Sequence, residues 1–196
     1  MRQTQEIKET IAADLKNQQN VSEVTLQKQF GSRRADIYAK LNDNPVAILL
    51  AYNHLSASEV TKRTLHFNSF GLAVLWIFPS KFSTEFYIKK MHRWCHAAFF
   101  GQVYCYHNGM EVTPVTFQQS STYINKRTWY KDREKKKGGG YRKNLTRIKE
   151  AVEGEPISIA LFTHQHRNAW ESEKISIPEC HIFTTPCFAE LCHQSN

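Results

Sequence analysis

"RRADIYAKLNDNPVAILLAY", residues 33–52, reads as two strands joined by a tight polar turn. Arg34 to Leu41 has the composition of a strand, and Asn42-Asp43-Asn44 supplies side chains that tolerate turn geometry. Pro45 sits where a new strand begins, and Val46 to Tyr52 is wholly apolar until its end. The first strand carries one acid, Asp36, and its neighbour offers Leu49 and Leu50 opposite it. A lone carboxylate against an apolar strand is what the rest of the chain must account for.

On the N-terminal side, Ile7, Ile11 and Leu15 fall at i, i+4 and i+8 among charged residues, which predicts an amphipathic helix. Val21 to Phe30 reads as a strand with polar interruptions, followed by a Gly31-Ser32 turn. On the C-terminal side, Ser56-Ala57-Ser58-Glu59 matches a capping box and predicts a helix to about Phe67. The run Leu72 to Phe78, between Gly71 and Pro79, fits a strand covered on both faces. Helix, three strands, helix and buried strand together predict an α/β fold: a mixed sheet with flanking helices. Beyond it, a helix is expected over 84–96, a hairpin over 100–117 around Asn108-Gly109, and a short strand over 157–162.

A chain of 196 residues suits one domain and buries a real core. Its net charge of +8 favours partners that carry phosphates, nucleic acid above all. The N-terminus lacks the apolar centre of an export signal, and no segment is apolar for long enough to span a bilayer. Cys95, Cys105, Cys180, Cys187 and Cys192 are odd in number and scattered, as expected of reduced thiols in a cytoplasmic protein.

The segment "RRADIYAKLNDNPVAILLAYNHLSASEVTKRTLHFNSFGLAVLWIF" resembles the nuclease-like core of the competence protein CoiA family, within the PD-(D/E)XK, or restriction-endonuclease-like, superfamily. Arg33, Arg34 and Asp36 match the family's lead-in, and Leu55-Ser56 its link. Arg63 matches the helical Arg, and Leu75-Trp76-Ile77 the last strand. "MHRWCHAAFFGQVYCYHNGMEVTPVTF" is similar to the segment that follows, so the likeness covers roughly residues 3 to 117. It implies a restriction-endonuclease-like core over 1–120, with a basic C-terminal extension over 121–196 packed on or continuing it. It also implies DNA as the partner, with recombination proteins beside it.

The departure from the family lies at the metal site. Aligning Ala47-Ile48 with the family's apolar pair puts Leu49 where the second metal-binding Glu belongs, and Ala51 where its Gln belongs. The family's first-helix Glu falls on Gln3, near Glu6 and Glu9. Phosphodiester hydrolysis in such nucleases uses Mg²⁺ held by carboxylates on adjacent strands. Asp36 alone supplies one ligand. Glu59, Glu6 or Glu9 would have to migrate to it to restore the site; otherwise Asp36 is a vestigial ligand or a solvent-facing residue paired with Arg33 or Arg34.

"NKRTWYKDREKKKGGGYRKNLTRIKE", residues 125–150, concentrates cations with aromatics between them. Lys126, Arg127, Lys135, Lys136, Lys137, Arg142 and Lys143 are candidates for phosphates, and Trp129 and Tyr141 for stacking on bases. Arg33, Arg34 and Arg63 join them as candidate DNA contacts. The plainer reading is a solvated loop followed by a helix over 141–151.

Two weaker signals remain. Cys180, Cys187, Cys192 and His193 have irregular spacings and no Cys-x-x-Cys pair, which argues against zinc. His92 reads as exposed beside an inward Trp94, and His164 and His166 read as surface residues or a ligand pair. The expected protein binds DNA through a nuclease-like fold with a degenerate metal site, in DNA uptake, recombination or mobile-element processing. The alternatives are an Mg²⁺-dependent endonuclease using Asp36 and a migrated Glu, and an interaction or inhibitor module reusing the fold.

Overall fold

In a computed structural model, which describes residues 2–51, 55–79, 88–172 and 175–186 (side chains at 2–3, 118–122 and 142–150 excepted), the polar turn closes a two-residue hairpin. Asn42 and Asp43 both adopt the left-handed conformation, with φ of 47° and 63°. That geometry matches the twist of the flanking strands and suits Asn and Asp. It sets Leu41 opposite Asn44 and Ile37 opposite Ile48.

The chain begins with α1 (Arg2–Lys16), whose Ile7, Ile11 and Leu15 are buried as the periodicity requires. Strands β1 (Val21–Leu26), β2 (Gln29–Phe30), β3 (Arg33–Arg34), β4 (Ile37–Leu41) and β5 (Asn44–Leu50) follow. The strand expected from Arg34 to Leu41 is therefore broken at Ala35-Asp36. Next come α2 (Ala57–Asn68), β6 (Ala73–Phe78), α3 (Lys90–Ala98), β7 (Val103–Asn108) and β8 (Glu111–Ile124). The remaining elements are β9 (Arg127–Lys131), β10 (Glu134–Gly138), β11 (Tyr141–Glu153), β12 (Ile157–Ser158), a 3-10 turn (Ile159–Leu161), β13 (Thr163–Arg167), β14 (Trp170–Glu171), β15 (Ser176–Ile177) and β16 (Cys180–Thr184).

The main sheet runs β1-β4-β5-β6-β7-β8-β11. Its first three strands are antiparallel, β5, β6 and β7 are parallel, and β7, β8 and β11 are antiparallel again. The fold is thus mixed α/β, with three α-helices and a large mixed sheet among the described residues. Every residue of β6 is buried, as its continuous apolar run requires. Trp76 lies in this strand and donates its indole N–H to the Thr64 hydroxyl on α2, 3.0 Å away.

The C-terminal part divides in two. Residues 157–186 belong to the core: β16 lies parallel to β6 at Ile182, and Phe162 and Phe183 are buried with Tyr104. The Tyr104 hydroxyl meets that of Thr184 at 2.5 Å. The strand expected over 157–162 is only two residues long and turns at once into the 3-10 segment.

Between these parts the chain leaves the sheet. The helix read over 141–151 is instead strand, because β11 pairs with β8 from Tyr141↔Ile124 to Glu153↔Val115. Lys-rich composition is compatible with either state, and the antiparallel ladder decides it. β7 covers β8 only as far as Val115, and Phe117 still packs on His96 of α3, so residues 118–124 and their β11 partners run on past β7 as a two-stranded arm. This arm is about 23 Å long at about 3.3 Å per residue.

Candidate functional site

Asp36 sits at the break before β4, where the hairpin opens. One oxygen, Oδ2, accepts the backbone N–H of Leu50 at 2.9 Å. The other, Oδ1, faces the Lys8 ammonium at 2.5 Å and the Gln27 amide at 3.4 Å. The Lys8 and Asp36 side chains are only 9% and 14% exposed, so the ion pair is largely withdrawn from water. The reading of Asp36 as solvent-facing and paired with Arg33 or Arg34 is therefore corrected. Arg33 turns to Glu59 (2.6 Å), and Arg34 donates to the Gln29 side chain (3.3 Å).

The register shows what else would share the face of Asp36. Pairing of Ile37 with Ile48, continued by one residue, sets position 49 across from Asp36. Side chains directly opposite on paired strands point the same way. Leu49 occupies that place and is 1% exposed, while Ala51 stands two residues on, also buried. A second carboxylate at 49 would have adjoined Asp36; a leucine there fills core space and ligates nothing.

The acids considered as migrated ligands have other positions. Glu59 caps nothing with its carboxylate: Ser56 Oγ accepts the Glu59 amide (3.1 Å), but the carboxylate is bound by Arg33 and by Arg63 (2.9 Å). Hydrogen bonds from these two guanidinium groups pull it from 4.5 to about 2. Glu6 and Glu9 are exposed on α1, with Glu9 accepting from Gln5. The Gln3 side chain lies outside the described residues. Among those described, no three acid, thiol or imidazole groups are arranged around a common point.

Mg²⁺ prefers one or two carboxylates with free oxygens, several waters and a substrate phosphate. Asp36 offers an oxygen already neutralised by an ammonium, another bonded to a peptide N–H, and a leucine where its partner would stand. These residues do not fit the ion. Lys8 was missed in the sequence, although it lies on one helical stripe with the buried Ala12 and Leu15, where a lysine needs a partner.

The second candidate region is the arm. Beyond Ile124 it continues as the β9–β10 hairpin, whose turn residues Asp132 and Arg133 have φ of 52° and 65°. Pairing of Lys136 with Trp129 and of Lys135 with Tyr130 sorts the side chains. Arg127, Trp129, Lys131 and Lys136 lie on one face, and Thr128, Tyr130, Lys135 and Lys137 on the other. Tyr130 is 71% exposed and Tyr141 56%, so both rings stand in water. The Arg127 guanidinium lies 5.7 Å from the centre of the Trp129 ring.

The three glycines have a packing role rather than that of a flexible loop. Gly138 leaves room for the Trp129 ring, which would lie 2.8 Å from any Cβ there. Gly139 has φ of +87°, and a Cβ would come within 2.1 Å of the Asn125 carbonyl oxygen. Gly140 donates its N–H to Ile124 at 2.6 Å, closing the junction. The result is a concavity of about 520 Å³ lined by Lys126, Arg127, Thr128, Lys137, Gly138 and Gly139. Arg142 and Lys143 are on β11 within the arm, their side chains outside the description.

The remaining candidates stand elsewhere. Arg63 is bound to Glu59, as above. His92 is wholly buried beside Phe78 rather than exposed, and Trp94 is buried with it. Cys180 faces the core, and burial pushes its thiol up to about 11. Cys187, Cys192 and His193 lie outside the described residues.

The model of the competence protein CoiA nuclease-like domain matches residues 5–136. The chain belongs to this family. The match begins within α1, takes in the Asp36 hairpin, the buried β6 strand, β8 and β9, and ends within β10, short of β11. No curated protein matches the chain, and no solved structure does either. No helix among the described residues is long and apolar enough to cross a membrane.

Proposed function

We propose that this CoiA nuclease-like chain is a DNA-binding protein that grips its ligand with the arm and does not cut it. The observation that carries this is the arm itself: an exposed two-stranded projection with cations on both faces, Trp129 on one and Tyr130 on the other. Cations meeting phosphates release counterions, and exposed rings stack on unpaired bases. The replaced ligand at Leu49 and the Lys8 ammonium on Asp36 argue against metal-dependent cleavage. A family of nuclease-like domains associated with competence supports DNA uptake or recombination as the setting.

Fluorescence anisotropy with single-stranded, duplex and branched DNA, with and without Mg²⁺ or Mn²⁺, tests the reading. Binding that weakens steeply with salt, with no metal-dependent cleavage, is expected. Cleavage abolished by Asp36→Ala would establish a working nuclease instead. Absence of binding to any of these DNAs at low salt would shift the fold to a protein partner.

A further inference from the structure

The register of the β9–β10 hairpin makes its two faces chemically unequal. Lys131 stands opposite Glu134 and Trp129 opposite Lys136, so these four share one face with Arg127 and Gly138. That face answers its own charge. The Lys136 ammonium lies 2.5 Å from Glu134, the Arg127 guanidinium lies over the Trp129 ring, and the ring in turn covers Gly138. The other face pairs Lys135 with Tyr130 and Lys137 with Thr128. It carries no acid, and among the described residues neither lysine has an ion-pair partner. Tyr130, at 71%, is the most exposed large aromatic or apolar side chain among the described residues.

We propose that this second face, formed by Thr128, Tyr130, Lys135 and Lys137, is a binding site for single-stranded DNA. The proposal rests on DNA binding by the arm, and names the form of the ligand and the side of the hairpin that takes it. A base offers a free π surface to Tyr130 only when no neighbouring base covers it. In a duplex both surfaces are stacked, and opening a step to admit a ring is costly. Lys135 and Lys137 lie about 6.6 Å apart along β10, on the scale of one step of an extended nucleotide chain. Each ammonium thus faces one phosphate, while the ring between them and solvent takes a base.

The concavity at the base of the hairpin extends the same track. Thr128 and Lys137 of this face line it together with Lys126 and Arg127, and no acid is among its lining residues. Lys126 is set in place by a glycine: a Cβ on Gly140 would lie 2.7 Å from its Cγ, so the lysine stem crosses where no side chain stands. A phosphate following the one at Lys135 therefore meets three cations, Lys137, Lys126 and Arg127. A two-stranded ribbon also fits a major groove, but base edges there are read by the planar forks of Arg, Asn or Gln. This face offers a phenol, a hydroxyl and two ammonium groups, a set suited to stacking and point-charge attraction without sequence readout.

The test is a pair of charge-matched double variants of the full-length chain, Lys135→Ala/Lys137→Ala and Lys131→Ala/Lys136→Ala. Both remove two exposed charges from the same hairpin, so net charge alone predicts equal effects. Each is titrated by anisotropy against labelled oligothymidylate and a duplex of equal length. The first is expected to weaken single-strand binding by about tenfold or more and to lower the salt slope by about 0.7 for each lysine. The second should leave affinity within about twofold and the slope unchanged. Tyr130→Ala should weaken single-strand binding by about five- to a hundredfold with duplex binding unaltered, and Tyr130→Phe should keep the natural affinity. A duplex bound as tightly as the single strand, or equal losses from the two double variants, would overturn this proposal while DNA binding by the arm still stood. Absence of binding to either DNA would overturn both.

Discussion

The Lys8 ammonium lies 2.5 Å from the Asp36 carboxylate, in a place where only about a tenth of either side chain meets water. A charge supplied by the chain itself thus stands beside the acid that the family resemblance implied as a metal ligand. Removing one partner of a buried pair leaves the other uncompensated, at a typical cost of about 3–5 kcal/mol. Asp36→Ala should therefore lower stability by that order in urea denaturation, and Lys8→Met/Asp36→Leu by clearly less than the sum of the singles. Millimolar Mg²⁺ should leave the Tm of the natural chain unchanged, since an ion that does not bind the folded state cannot stabilise it. A raised Tm would show that the ion displaces Lys8.

On the arm, charge and stacking make separable contributions. Replacing Lys135, Lys136 and Lys137 by Ala should weaken DNA binding and reduce the salt slope by about 1 for each lysine that touches a phosphate. Trp129→Ala and Tyr130→Ala should leave the slope nearly unchanged and cost about 1–3 kcal/mol for each base that the ring stacks on. Anisotropy titrations at several salt concentrations check both. An unchanged slope in the lysine variant would remove the hairpin from the DNA interface.

Gly139→Ala should disable the arm without unfolding the core. The added methyl would meet the Asn125 carbonyl oxygen at 2.1 Å, and the backbone at φ of +87° is strained for any side chain. The junction must shift, and the concavity beneath it with it. The expected outcome is weaker DNA binding with little change in Tm. Unaltered affinity would mean that the geometry of the junction is irrelevant to binding.

Stability should also fall as pH drops from about 6.5 to about 4. His92 is wholly buried; burial first, and the Lys89 charge second, hold its pKa down to about 4. Its folded value is below the ordinary 6.5, so within that window the unfolded chain binds a proton that the folded chain refuses. The contribution is complete above 6.5 and is lost as pH approaches 4. His92→Gln, which keeps an acceptor for the Lys89 amide, should flatten this part of the profile in denaturation curves across pH. Identical slopes would exonerate His92.

Much of the frame was legible along the chain because local rules governed it. The Ile7, Ile11 and Leu15 stripe, the Asn42-Asp43 turn, the Ser56 cap and the apolar β6 run each follow from periodicity or from a side chain bonding its own neighbourhood. The arm was harder. Residues 141–151 have no pattern that distinguishes helix from strand, and the ladder with β8 resolved them. His92 was misplaced because a histidine on a short helix faces either way until Phe78 and its neighbours pack around it.

By itself, the sequence determined the family, the order of elements in its core, an apolar residue at position 49 and the concentration of cations at 126–143. Only the tertiary structure decided that Lys8 neutralises Asp36, that the cations of residues 127–137 ride on the exposed β9–β10 strand pair, and that His181 joins His164 and His166. The physical reason is one of range. Turns, caps and hydrophobic periods are set by residues a few positions apart, whereas an ion pair or an imidazole cluster forms between residues that only strand pairing and helix packing bring within a few ångströms.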